Sequence, residues 1–388
     1  MLSLVRNARL FTPADEGLAD LVVGQGRVVH VGQEVADLPS WCDGTTVDLQ
    51  GRIVVPALVD GHVHVTGGGG ESGFGSRIPP LAAQVYRAAG TGTVVGLLGT
   101  DDTTRTIESL VAWTRELNAH GITARCFTGG YHLPPRTLTG TVRGDLAWID
   151  VIIGVGELAI SDHRSSHPSP AEILRIASDA HVGGLMTGKA GVLHLHVGDG
   201  ADGLEPIRRA IGDGDVPARV FHPSHVNRRK ALFEEALALT VEGSTVDITA
   251  FPVQEGEDAW SAPDALGRYL DAGAPPRQVT VSSDGGGCLP VFTGDGEVAH
   301  WDTAAPAALL GALRATVAAG LDLARVLPAF TSNPARLLRL HGQGEIGRGS
   351  AADLLVLNDD LSLHGAMYAG IWYDADGQRA VAPAGILQ

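Results

Sequence analysis

Lysine is nearly missing from this sequence: Lys189 and Lys230 are the only two among 28 basic residues. Any chemistry built on a lysine amine therefore has only two positions at which to occur. Cysteine is almost as scarce. Cys42, Cys126 and Cys288 are widely spaced and odd in number, which argues against a disulfide framework and suits reduced thiols. Positive charge is in deficit too. A formal net charge of −16 with no basic stripe repels phosphate backbones and anionic lipid, so neither nucleic acid nor a membrane is an expected partner. No uncharged apolar run reaches the roughly 18 residues a membrane helix needs. The opening stretch MLSLVRNARLF meets Arg6 before any apolar core of secretory type, and a cytoplasmic protein is expected.

What is present is a chain of 388 residues, 44% hydrophobic, with 52 glycines. That suits one large domain, one small one and many tight turns. Residues 1–55 alternate apolar and polar positions in SLVRNARLF, ADLVVGQGRVVHVG and TTVDLQGRIVVP, the period of short antiparallel strands. From about Val54 the pattern becomes a short apolar run, a polar or glycine-rich loop and a helical stretch, eight times over. The runs end in VDGHVH, GLLGT, CFTGGY, VGELAIS, LHLHVGD, FHPSHVN, DITAF and VSSDGGG. Eight such units predict an α/β fold, a (β/α)8 TIM barrel over residues 56–344, whose strand ends gather their polar residues on one face. The tail GEIGRGSAADLLVLNDDLSLHGAMYAGIWYDADG returns to alternating strands. Residues 1–55 and 345–388 are therefore expected to build one small β-sandwich domain from both chain ends.

Five residues at those strand ends carry the chemistry. His62 and His64 are two apart, so an extended strand points both the same way, and two imidazoles on one rigid edge can grip one metal ion. His196 closes the fifth strand, His225 the sixth and Asp284 the eighth. A barrel brings these distant positions together. Other histidines are given plainer roles: His132, His163 and His222 are expected to shape loops or bond backbone, and His194 to face away from His196 and pack between barrel and helices. The GGGG run at residues 67–70 lacks the Lys-Ser/Thr of a phosphate loop and reads as a tight turn past a ligand.

This set of strand-end ligands resembles the amidohydrolase superfamily. The strings GHVHVTGGGGE, VVGLLGTD, TGGYHLPPRT, AISDHRS, HVNR and SSDGGG, in that order over residues 61–287, resemble the isoaspartyl dipeptidases among them. The resemblance implies two divalent ions, with zinc the expected metal: His62 and His64 would hold the more buried one, His196 and His225 the more exposed one. It implies that Asp284 contacts the metal site and shuttles the proton, and that Tyr131 polarises the scissile carbonyl. Glu71 would read the α-amino group of a zwitterionic dipeptide. Arg164 and Arg228 would hold substrate carboxylate, Gly69 and Thr100 would make further substrate contacts, and the protein would act as a homo-oligomer. The alternatives are a cyclic-amide hydrolase of the dihydroorotase or hydantoinase type and a catalytically silent scaffold.

Two positions depart from the family. Where it carries a lysine whose carbamate bridges the metals, this chain has Glu157, so no carbamylated lysine is expected and Glu157 is read as the direct bridge. A glutamate offers two oxygens and one negative charge, as a carbamate does, on a shorter arm. Where the family has a serine that assists substrate binding, this chain has Cys288, a weaker hydrogen-bond donor.

Overall fold

The computed structural model describes residues 2–292 and 298–380. The part of the small-domain expectation that falls on residues 381–388 lies outside the described residues. Strands from both chain ends share one branched eight-stranded sheet. The seam between the ends is the antiparallel pairing of Ile53–Pro56 with Leu354–Leu357. The first strand, Leu2–Phe11, is the branch point, pairing with Asp15–Gly24, Gly44–Asp48 and Ile53–Pro56. Its arms fold over a separate apolar core that includes Val5, Leu10, Leu21, Val47, Val356 and Trp372. One hairpin shows why such sequence forms strands. Gln25 and Gly26 both take positive φ, 53° and 73°, the mirror-image turn whose twist matches the strands it joins, here Gly24 opposite Arg27.

The barrel strands are β1 (Leu58–Val63), β2 (Thr91–Gly96), β3 (Thr123–Thr128), β4 (Ile152–Ile160), β5 (Val192–Val197), β6 (Phe221–Ser224), β7 (Val246–Thr249) and β8 (Val279–Ser282). β1 to β6 form one hydrogen-bonded parallel sheet and β7 pairs with β8. The two parts meet where Val226 N–H donates to Asp247 O at 3.2 Å and where Val63 bridges Gly285. Every residue of these strands is buried except the half-buried Thr123 and Arg125 of β3, as expected of parallel strands covered on both faces. Phe127, Leu195 and Phe221 are fully buried, each burial favouring the fold by roughly 1.5–3 kcal/mol.

A helix follows each strand. The one after β4, Pro170–Thr187, shows its start in the sequence SPAE. Ser169 caps the helix, Glu172 reaches back to it, Pro170 opens it and Gly188 ends it with φ 74°. No helix among the described residues is long and apolar enough to cross a membrane. Between β8 and the last barrel helix the chain inserts an antiparallel pair, Cys288–Phe292 with Val298–Thr303, which the sequence pattern did not lead us to expect.

Candidate active site

The strand ends meet around one side chain, Glu157, buried on β4. Its Oε2 lies 3.3 Å from His62 Nε2, 3.4 Å from His196 Nδ1 and 3.8 Å from His225 Nε2, and its Oε1 lies 3.6 Å from His64 Nε2. Asp284 Oδ1 faces the first pair, 3.4 Å from His62 Nε2 and 3.0 Å from His64 Nε2. His62, His64 and Asp284 form one group of candidate ligands, and His62, Glu157 and His225 another, each with its donor atoms within 4.8 Å of one another. His196 stands at the margin: Tyr131's hydroxyl is 2.8 Å from its Nδ1 and Asp162 is 3.1 Å from its Nε2. His225 and Asp284 adopt left-handed backbone, φ 61° and 55°, a conformation that costs a non-glycine residue and clusters at functional sites.

The electrostatics are those of a site built for a cation. Burial would raise Glu157, yet His62 first, then His196 and His225, hold it well below the carboxylate range. Asp284 is likewise held low against desolvation, by His62 and His64. Burial pulls His62 down, but Glu157 and then Asp284 raise it well above its ordinary value. Burial first, then the neighbouring His196, brings His225 down to about 3. His62 Nε2, both Glu157 oxygens and Asp284 Oδ1 are buried with no hydrogen-bond partner. Four such orphaned atoms at one point are costly unless something they coordinate takes up their lone pairs. A divalent ion fits this donor set of imidazoles and carboxylates.

Beside the cluster lies a second group of charges. Arg164 grips Asp162 with two nitrogens, at 2.7 and 3.0 Å, while its Nη1 lies 3.8 Å from Glu71. Arg228 bonds the exposed Asp199 at 3.0 Å and Val197 O at 3.0 Å. The two guanidinium groups come within 3.2 and 3.3 Å of His196 Nε2 and so sit side by side. Glu71 Oε2 is buried and unpartnered. Burial first, then the Glu71 charge, push the Cys288 thiol up to about 12. Burial and then Glu157 raise Tyr131 well above its ordinary value, keeping its hydroxyl a donor.

Gly69 is needed for shape. Its φ is 73°, and a Cβ there would lie 2.5 Å from Ser76 O. At Gly67 it would lie 2.0 Å from Ile78 O. The loop they shape carries Glu71, and buried Arg105 fastens it by donating to Thr66 O, Gly68 O and Ile78 O at 2.6, 2.6 and 3.0 Å. Thr100 is half-buried directly after Gly99, where a Cβ would come 2.7 Å from the His64 ring. His132 shapes loops as expected, joining Asp102 at 3.0 Å to Arg164 O at 3.0 Å.

Sequence reasoning missed Arg105, Asp162 and Thr249, whose hydroxyl is 2.8 Å from His225 Nδ1. Two expectations need correction. His194 does not pack between barrel and helices: it is fully buried with Nε2 2.8 Å from His62 Nδ1. Residues two apart share a strand face, so His194 faces inward as His196 does. His222 does not serve a loop either; it lies in β6 with Nδ1 2.9 Å from His194 Nδ1.

Barrel and cluster together define a class. The sequence model described as the amidohydrolase family matches residues 53–378, and the chain belongs to that family. Within it, the chain is similar to a solved β-aspartyl dipeptidase of Fervidobacterium islandicum AW-1 in complex with β-Asp-Leu dipeptide. The two are 37% identical with a TM-score of 0.90, over 98% of this chain and 99% of that one. An imidazolonepropionase of Paracoccus denitrificans (strain Pd 1222) is 26% identical over 390 residues, 92% of this chain and 93% of its own. A D-hydantoinase of Thermus sp., 15% identical with a TM-score of 0.66 over 97% of this chain and 96% of its own, shares the fold.

Proposed function

We propose that this protein is a divalent-metal-dependent hydrolase that cleaves the isopeptide bond of β-aspartyl dipeptides in the cytoplasm, where its three unpaired cysteines stay reduced. The observation that carries the reading is the charge pattern beside the metal cluster: one buried unpartnered carboxylate oxygen on Glu71 and two adjacent guanidinium groups, Arg164 and Arg228. A β-aspartyl dipeptide carries one ammonium and two carboxylates, and planar guanidinium forks match carboxylates in both charge and shape. The likeness to a solved β-aspartyl dipeptidase over nearly the whole chain supports the same substrate.

His62, His64 and Asp284 would hold one ion, His196 and His225 the other, with Glu157 between them and zinc the metal that suits the set. When bound, two such ions acidify a water and polarise the scissile carbonyl. The chain's own groups do the rest. Asp284, at the cluster's edge, accepts the proton of the attacking water and returns it to the departing amine. Tyr131, protonated at neutral pH, donates to the carbonyl oxygen as negative charge builds there. Glu71 binds the α-ammonium, and Arg164 and Arg228 exchange their resting partners Asp162 and Asp199 for substrate carboxylate. Gly69 and Thr100 shape the wall between these groups, and Cys288 offers its thiol proton to Glu71. Ring opening of a cyclic amide, which the metal set alone would permit, supplies no free ammonium for Glu71.

The arginine pair tests this reading. Arg228→Met is expected to lower kcat/KM for β-Asp-Leu by an amount worth roughly 2–5 kcal/mol, the cost of stranding a desolvated charge. Metal content, measured by plasma emission, should stay at the wild-type value. Unchanged β-Asp-Leu cleavage in that variant would remove the carboxylate clamp and with it the substrate class.

A further inference from the structure

Beneath the ligand cluster the barrel interior holds a line of polar side chains where packed barrels usually place branched apolar ones. His62 Nδ1 is 2.8 Å from His194 Nε2, His194 Nδ1 is 2.9 Å from His222 Nδ1, and His222 Nε2 is 3.2 Å from Thr280 Oγ1. Thr280 then donates to Asp247 Oδ1 at 2.6 Å, and Ser282 donates to Asp247 Oδ2 at 2.5 Å. All six residues are buried. An interior this polar is costly unless every group is paired, and from His62 Nδ1 to Ser282 every side-chain group along this line is.

With Asp247 ionised the pairing has only one direction. Asp247 accepts from both hydroxyls, so Thr280 has spent its proton and its oxygen must accept from His222 Nε2–H. A neutral His222 then has a bare Nδ1, which accepts from His194 Nδ1–H. A neutral His194 has a bare Nε2, which accepts from His62 Nδ1–H. Both intermediate rings are buried and hydrogen-bond to imidazoles and a hydroxyl, with no carboxylate among these partners to hold a second proton on them. His62 is left with its proton on Nδ1 and its Nε2 turned to the orphaned oxygens of Glu157 and Asp284.

We infer that His194, His222, Thr280 and Asp247 form a proton-ordered relay across the barrel that fixes His62 in the tautomer whose Nε2 lone pair is offered to the metal. These four are positioning residues: they touch no substrate and act through His62. The inference rests on the metal-centre reading above and adds to it a set of residues from β5, β6, β7 and β8 that orient the His62 ring for the ion.

The test uses the full chain stripped of metal, with Zn2+ alone as the probe, titrated against a chelating dye. It is run at pH 8.5, above the midpoint of Asp247, which burial pushes up to about 7. Thr280→Val keeps the side-chain shape and removes the hydroxyl, whereas Thr280→Ser keeps the hydroxyl. Thr280→Val is expected to weaken Zn2+ binding by about 10–100-fold, the usual cost of losing a partner behind a metal ligand, and Thr280→Ser to stay near wild type. The visible spectrum of the Co2+-loaded protein should shift in the valine variant alone. Near-UV circular dichroism of the metal-free proteins checks folding, and His222→Phe stands in if Thr280→Val does not fold. Wild-type affinity in a folded Thr280→Val would overturn the relay, as would equal losses in the valine and serine variants. Failure of the wild type itself to bind Zn2+ would instead remove the metal centre on which the relay depends.

Discussion

Replacing Asp284 by asparagine is expected to leave metal bound and to cut kcat by at least about 10²-fold, the lower end of what a positioned acid–base group contributes. The side chain stands 3.0 and 3.4 Å from the His64 and His62 Nε2 atoms. An amide of the same shape keeps an oxygen there but can neither take up a proton nor hand it on. The Asp284 carboxyl is held below the usual range by those two histidines against desolvation, so it is ionised at neutral pH. The measurement is steady-state kinetics beside metal content in the same preparation. Near-normal turnover with full metal would assign the proton transfer to another group.

The second large effect is at Glu157. Its carboxylate lies within 4 Å of all four histidines of the cluster, and both its oxygens lack any hydrogen-bond partner. Glu157→Ala is therefore expected to lose at least one of the two proposed ions and, with it, turnover. Removing this buried anion also leaves His62 without the charge that chiefly raises it. Plasma emission on the purified variant decides the matter: two ions retained would end the bridging role. The same result would reopen the question of the missing lysine, since Lys189 is engaged elsewhere, its Nζ bonding Leu146 O and Ile149 O at 2.6 Å each, and Lys230 stacks over Trp260 at 4.7 Å.

The residues that cluster here were legible because each ends an apolar run, and strand geometry alone says where such residues go. His62 and His64 share a face by being two apart; the same rule, properly applied to His194 and His196, places His194 inside the barrel as well. What was not legible depends on approach between distant segments. Asp162 looks like a surface residue in SDHR; its hold on Arg164 is local to that loop, but only the proximity of the β4 and β5 ends makes it a partner of His196 as well. Arg105 lies in the polar run DDTTRT, and its burial comes from carbonyls that the glycine loop turns toward it. The pair Cys288–Phe292 with Val298–Thr303 escaped notice because its first strand is short and contains Pro290, which weakens a strand pattern. The small sheet was legible in its alternation, whereas its branching at Leu2–Phe11 depends on which of three other segments pair with that strand, which alternation does not specify.

The most direct test of the account is the ratio of kcat/KM for β-Asp-Leu to that for α-Asp-Leu, measured on the Zn2+-loaded wild type with cyclic amides in the same series. The two dipeptides carry identical charges at different distances. A site that fixes ammonium and carboxylate separately should reject the misplaced set as strongly as buried polar groups reject an analogue that leaves them unpaired. The account predicts cleavage of β-Asp-Leu at least about 10³-fold more efficient than that of its α-linked isomer, and slower or no opening of the cyclic amides. Equal cleavage of the two isomers, or a cyclic amide opened faster than β-Asp-Leu, would contradict it.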